Sequence, residues 1–282
     1  GIILYNVVDN WEDVDSGKTN GKKIKSKISF DDGRTWESLT VDKEDLHLHS
    51  VTELSNSGRV FSSPAPGLLM GIGNTGSNLK EYGEGNLYVS DDAGLTWRKA
   101  LDGPHKYEFG DQGSILVAMK EGFHDEVRFS LDHGKTWDKA DLPEKVRPVQ
   151  LTTLQDSTSL KFLLEAIDEE RTGAAAFLMV LDFDDMQESQ CKEDDMEKWY
   201  ARVDSDGKPT CLMGHKQWYS RRKADADCFV KKEFEDPEVH SEQCECTDAD
   251  FECDYNFVRS ADRKECEKAG DLILPEGACK AF

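Results

Sequence analysis

The first 190 residues contain no cysteine, although the whole chain carries eight. No apolar run approaches the roughly 20 residues that cross a bilayer as a helix, so nothing in this sequence is a membrane span. No stretch of Lys and Arg with interleaved aromatics occurs. Basic residues are outnumbered 35 to 57, for a formal net charge of -22. The 23 acidic and 15 basic residues from Cys191 onward leave both parts of the chain acidic. Such a surface repels phosphate backbones, which excludes nucleic acid as a partner. No Asn-x-Ser/Thr acceptor is present, because Asn56-Ser57 and Asn74-Thr75 miss the register. The opening Gly1-Ile2-Ile3-Leu4-Tyr5 lacks a basic flank and a cleavage pattern, and reads as a strand rather than a leader. A secretory parent would carry its signal upstream and its anchor downstream.

The cysteines are confined to Cys191, Cys211, Cys228, Cys244, Cys246, Cys253, Cys266 and Cys279. Crosslinks stabilise segments too small to build a core, and they persist in oxidising compartments. The 37% hydrophobic content of 282 residues suffices for one sizeable core and a small satellite. The predicted division is therefore 1-186 for the large unit and 187-282 for a cysteine-rich module. Eight cysteines allow 105 pairings, and spacing alone does not choose among them. Cys244-Glu245-Cys246 lacks the spacing of a structural zinc site, so the sequence implies no metal.

One octapeptide occurs three times, with the shared form Ser-x-Asp-x-Gly-x-Thr-Trp. Its fixed positions are Ser29, Asp31, Gly33, Thr35 and Trp36; Ser90, Asp92, Gly94, Thr96 and Trp97; and Ser130, Asp132, Gly134, Thr136 and Trp137. The short Ser and Asp side chains bond backbone groups in a tight loop, and Gly supplies the positive φ that reverses it. The Trp then covers the returning strand. Each copy predicts a β-hairpin. The carboxylates invite a calcium reading, but the ligand loop with its terminal Glu is missing, and turn structure is preferred.

The tryptophans at 36, 97 and 137 are spaced for four-stranded blades of roughly 40 to 50 residues, the first interval holding a long insertion. Strands are predicted at Lys22–Phe30, Glu37–Val41, near Val60-Phe61, Gly67–Ile72, Asn86–Ser90, Tyr107–Gly110, Ser114–Met119 and Glu126–Ser130. A polar connection through Asn56 follows the strand at 37–41. Gly71, Gly73 and Gly76 predict close backbone packing. Three more strands, Val149–Leu154, Leu160–Ile167 and Ala174–Leu181, continue the pattern, with an amphipathic helix competing for 160–170. This gives about four to five blades of an all-β propeller. Open sheet edges predict further blades, placed N-terminal to this sequence.

The octapeptide resembles the Asp-box of sialidases, certain glycoside hydrolases and Vps10-type receptors, where it is scaffold on the outer part of a propeller. The chain further resembles the Vps10-domain, sortilin-like sorting receptors, particularly fungal ones. The resemblance is carried by Pro66-Gly67-Leu68-Leu69-Met70-Gly71-Ile72-Gly73-Asn74-Thr75-Gly76 and by Tyr107 to Gly113. It is closest at Cys211 to Lys216, Arg221-Arg222-Lys223 and Cys244 to Tyr255. It implies the C-terminal blades of a ten-bladed propeller and the family's ten-cysteine region. By position it pairs Cys191 with Cys228, Cys211 with Cys244, and Cys253 with Cys266. Cys246 and Cys279 would then pair beyond the chain, or locally with each other.

No residue is assigned to catalysis. His47, His49, His105, His124, His133, His215 and His240 are scattered without a paired nucleophile, and His133 is expected to be exposed in its turn. Arg59, Arg98, Arg128 and Arg147 form no recognisable sialidase cluster in sequence. The resemblance implies a non-enzymatic receptor without cofactor, a single-pass type I membrane protein of the late Golgi lumen and endosomes. It would bind soluble vacuolar or lysosomal hydrolases or propeptides, release them in acid, and complete its ring with its own N-terminal blades. The alternatives are a sialidase-like glycoside hydrolase and a non-catalytic adhesion propeller. No ligand-contact residue is identified from sequence.

Overall fold

The computed structural model describes residues 2–31, 33–50, 65–153, 157–168, 176–186, 189–204, 206–233, 237–247, 250–254, 256–260 and 265–270. Its described residues are almost entirely strand and turn. The first sheet contains β1 (Ile3–Val8), β2 (Ile24–Ser29), β3 (Glu37–Val41), β4 (Glu44–Leu48), β5 (Leu69–Thr75), β6 (Asn86–Ser90) and β7 (Arg98–Leu101) in strict chain order. One short helix, α1 (Trp11–Asp15), interrupts it after β1. The second sheet contains β8 (His105–Gly110), β9 (Ile115–Lys120), β10 (His124–Ser130), β11 (Asp138–Thr152), β12 (Lys161–Asp168) and β13 (Ala176–Asp182), again in chain order.

Each octapeptide joins two antiparallel strands: β2 to β3, β6 to β7, and β10 to β11. The blade groups follow from these hairpins, as β1–β3, β4–β7 and β8–β11. The fifteen-residue β11 serves two groups: its start pairs with β10, and Val146–Thr152 pairs with β12. Its pairing with β12 shifts register between Pro148 and Gln150. Proline has no N–H to donate to the ladder, so a bulge is the natural accommodation. The fourth group, β11–β13, is strand throughout its described residues. The helix that competes for 160–170 does not form in its described residues, because Phe162, Leu164 and Ala166 alternate inward at period two.

The stretch after β3, expected as a polar connection, instead turns back at once. Asp42 and Lys43 both have positive φ, at 49° and 74°, the geometry of a two-residue hairpin turn. β4 follows, burying Leu46 and Leu48. The intervening His47 hid this strand from a hydrophobicity pattern. Its ring is nevertheless buried, accepting from the Ser26 N–H at 3.2 Å through Nδ1 and bonding the Gly76 carbonyl at 2.8 Å through Nε2. Gly73 is the tight glycine of β5, since a methyl there would lie 1.9 Å from the His47 carbonyl oxygen, whereas Gly76 faces open space. The strand expected near Val60-Phe61 and the connection through Asn56 lie outside the described residues, as do Leu154, Ala174 and Ala175.

The core shows why these sheets read as propeller blades. Along β9, Leu116 and Ala118 enter one hydrophobic cluster, while Ile115, Val117 and Met119 enter another. Along β6, Leu87 and Val89 share the cluster of Leu116, while Tyr88 packs with Ile28, Leu46 and Trp97 of a third. Strands buried on both faces must have sheets on both sides, and here the neighbours are the preceding and following blades. The fold is an all-β propeller portion followed by a disulfide-rich module.

The chain divides into two compact units: Gly1–Ala201 with Tyr219–Glu238, and Arg202–Trp218 with Val239–Phe282. They do not coincide with the predicted 1-186 and 187-282 division. The blade-bearing unit also holds β14 (Met196–Tyr200) and the Cys191–Cys228 disulfide. β15 (His215–Arg222) starts in the second unit, where His215–Trp218 pairs with β16 (His240–Gln243), and ends in the first. The second unit contains Cys211–Cys244, Cys253–Cys266 and the hairpin of β17 (Phe257–Arg259) with β18 (Cys266–Lys268). Cys246 is an exposed thiol among the described residues, and Cys279 lies outside them.

Candidate functional site

The three octapeptide turns have one hydrogen-bond scheme. The Ser hydroxyl accepts the Gly N–H at 2.8 Å in every copy and donates to the Asp Oδ1 at 2.8 to 2.9 Å. That Oδ1 accepts the Thr N–H at 2.7 to 2.9 Å, and Oδ2 accepts the Thr hydroxyl at 2.5 to 2.6 Å. Both oxygens of Asp31, Asp92 and Asp132 are thus engaged by donors within four residues. Burial pushes the Asp132 carboxyl up, but hydrogen bonds from Thr136, Ser130 and Lys135 outweigh it and hold it below the ordinary carboxylate value. The Trp97 and Trp137 indoles donate to the Gly94 and Gly134 carbonyls at 3.0 and 3.2 Å, closing the turn from the strand side.

The box glycines have two reasons to be glycine. Gly94 and Gly134 adopt φ of 91° and 77°, which an L side chain resists. A methyl on Gly94 would also lie 2.7 Å from Ile28 Cδ1, and one on Gly134 2.9 Å from Val89 Cγ1. The second and third turns therefore each seat their blade against the preceding one.

Two residues that pattern reading did not single out for chemistry bind these turns from a distance. Arg221 and Arg222 end β15, and successive residues of a strand point to opposite faces. Arg221 donates through Nη1 to the Pro66 and Asp91 carbonyls at 2.8 and 2.7 Å, and through Nε to Glu197 at 2.8 Å. Its guanidinium lies 5.2 Å from the Trp199 ring centroid. Arg222 donates to the Leu131 carbonyl of the third turn at 2.9 Å, to Cys228 at 2.9 Å, and to Ala226. One arginine thus holds the second box turn and its neighbour holds the third. Asp111, fully buried after β8, completes the attachment by accepting the Val230 and Lys231 N–H groups at 2.6 and 2.8 Å. Burial raises its carboxyl pKa against the opposing effect of those two bonds. The segment 219–233 is a strap across the box-turn side of the blades. The run Arg221-Arg222-Lys223 was visible in sequence only as a family likeness, since the blade carbonyls it reaches lie 91 to 155 residues away.

The histidines sort by burial. His133 is not exposed in its turn but 2% accessible, packed beside the strap, and its Nδ1 has no hydrogen-bond partner among the described residues. Burial, followed by the nearby Arg221 and Arg222 charges, lowers its pKa to about 4. His105 is also lowered to about 4, chiefly by burial, while its Nδ1 bonds the Gly103 carbonyl at 2.9 Å. His47 is lowered by burial as well. In the second unit His240 stacks on Trp218, with ring centroids 3.9 Å apart.

Two of the candidate arginines are paired with carboxylates. Arg98 pairs with Asp91 at 3.2 Å and donates to the His133 and Gly134 carbonyls, and Arg128 pairs with Glu126 at 2.5 Å. Arg147 stands on the exposed side of β11, and Arg59 lies outside the described residues. In the second unit the buried Asp250 caps a turn, accepting the Met213 and Thr247 N–H groups at 2.7 Å each.

This combination of box-turn blades and disulfide module is matched across the chain by two family models. Residues 1–151 match "Sortilin, neurotensin receptor 3", and residues 153–281 match its C-terminal counterpart. The chain is 58% identical over 283 residues to "Vacuolar protein sorting/targeting protein 10" of Ajellomyces capsulatus, covering 99% of this chain and 19% of that protein. It is 57% identical to the protein of that name in Colletotrichum graminicola, with 99% and 19% covered, and 59% identical to that of Pyricularia oryzae, with 99% and 18%. The chain spans about a fifth of the length of these relatives. With both halves of the fold matched end to end, the chain belongs to the sortilin–Vps10 family.

Proposed function

We propose that this chain is part of the luminal cargo-binding region of a transmembrane vacuolar sorting receptor, and that it performs no catalysis. The observation carrying this reading is the end-to-end likeness to the fungal vacuolar protein sorting/targeting proteins. The structure supports it by accounting for the repeated carboxylates, whose oxygens are consumed in the box turns. Its cargo would be soluble vacuolar or lysosomal hydrolases or their propeptides, collected in the late Golgi lumen and delivered to endosomes. The parent would be a single-pass type I membrane protein whose N-terminal blades complete the ring. Within the described residues no helix is long and apolar enough to cross a membrane.

Release of cargo in acid follows from the same reading. His105 and His133 are held neutral by burial, so acidification favours any state in which they reach water. The test is capture of soluble hydrolases from a fungal secretory extract by the complete luminal region at pH 7 and pH 5. The expected result is retention at pH 7 and elution at pH 5. Failure to retain any vacuolar hydrolase or propeptide at either pH overturns the receptor reading.

A further inference from the structure

The third blade carries a second concave feature at the end opposite its box turn. There β8 begins at His105, β9 ends at Lys120 and β10 begins at His124. These strand ends border a cleft of about 420 Å3 lined by Asp102, His105, Lys120, His124, Glu126 and Arg128, with Leu101 at its wall. In a chain of net charge -22 the lining sets Lys120 and Arg128 against Asp102 and Glu126, with Lys99 and Lys139 adding positive charge beside those carboxylates. Its two carboxylates are already neutralised: Asp102 pairs with Lys99 at 2.8 Å, and Glu126 pairs with Arg128 at 2.5 Å and Lys139 at 3.5 Å.

The cations retain unused donors. The Lys120 ammonium makes no hydrogen bond or ion pair among the described residues, and its stem packs over Gly103, where a methyl would stand 2.9 Å from Cε. Arg128 has five N–H donors and engages Glu126 through one terminal nitrogen. His105 reports the resulting field: after burial, the influences that disfavour its protonation are Lys120, His124 and Arg128. A concave surface with unspent donors and a positive field is complementary to a carboxylate, which accepts charge-assisted hydrogen bonds at both oxygens.

We propose that this cleft binds a carboxylate-bearing ligand, with Lys120 and Arg128 donating to the carboxylate. An acidic peptide and a small dicarboxylate offer the same chemistry. The inference stands on the cleft and not on the receptor reading, so either can fail alone. The test is fluorescence anisotropy of the full chain with a labelled Glu-rich octapeptide, its Gln counterpart, and succinate as competitor. The acidic peptide is expected to bind, increasingly weakly as salt rises, and the Gln peptide is expected not to bind. Lys120→Glu should weaken the acidic peptide by about tenfold or more, Arg128→Gln by several-fold, and the remote surface change Lys22→Glu not at all. Displacement by succinate assigns the cleft to carboxylates in general; retention of peptide against succinate assigns it to acidic peptides. Equal binding of the two peptides, an unchanged affinity in Lys120→Glu, or no binding of either peptide or succinate overturns the proposal.

Discussion

The two compact units hold themselves together by different means. Every buried hydrophobic side chain among the described residues belongs to the blade-bearing unit, including Phe109, Leu116, Phe162 and Phe229. In the second unit the described buried residues are the polar Asp250 and Ser260, while Met213, Val239, Phe251 and Val258 are all at least half exposed. The second unit instead has Cys211–Cys244 and Cys253–Cys266, closing separations of 33 and 13 residues. The first opposes chain entropy by burying apolar surface between blades. The second opposes it by removing conformations from the unfolded chain. A sequence shows the second strategy openly, as a list of cysteines, and hides the first in alternation.

Three experiments would break or sharpen that contrast. Phe109→Ala, at a fully buried position in the cluster between the second and third blades, should cost about 3–5 kcal/mol. Regional hydrogen exchange should show the loss across β5–β9 and leave the second unit unchanged; a uniform loss over both units would mean they unfold as one. Paired Cys211→Ser and Cys244→Ser changes should cost the second unit on the order of 2–5 kcal/mol, because no buried apolar side chain occurs among its described residues to compensate. The blade-unit exchange rates should remain as they were, and protection lost there instead would refute the assignment.

The third and smallest effect is pH dependence of the blade unit. His105 and His133 have folded pKa values of about 4, below the ordinary 6.5. Lowered histidine values mean that stability is complete above pH 6.5 and is lost as pH falls toward 4. Between pH 7 and pH 5.5 each should shift the balance toward a solvated state on the order of tenfold. Denaturant midpoints of the full chain at those two pH values measure this. His133→Gln should flatten part of the slope while leaving the Arg221 and Arg222 attachments to the box turns in place. An unchanged slope in that variant would remove His133 from the response.

Much of the fold was legible because its signals are short-ranged. β3 and β6 begin and end where pattern reading placed them, and Glu126–Ser130 falls within β10. β4 was missed because His47 occupies an inward position that a polar residue rarely takes, and its burial depends on partners at Ser26 and Gly76. The expected exposure of His133 failed for a related reason. Turns are normally solvated, but this one is covered by a strap that lies about 90 residues farther along the chain.

By itself, the sequence determined the three box turns, because the Ser, Asp, Gly and Thr groups that bond one another in each lie within one octapeptide. It also confined the crosslinks to the last third of the chain. Tertiary structure alone decided that Arg221 and Arg222 grip two different turns, that Asp111 receives Val230 and Lys231, and that Cys191–Cys228 belongs with the blades. It alone gathered Lys120, His124 and Arg128 around one cleft with His105. The physical reason is range. A turn is set by groups a few bonds apart, whereas a backbone carbonyl looks alike at every position until the fold selects which ones an arginine can reach.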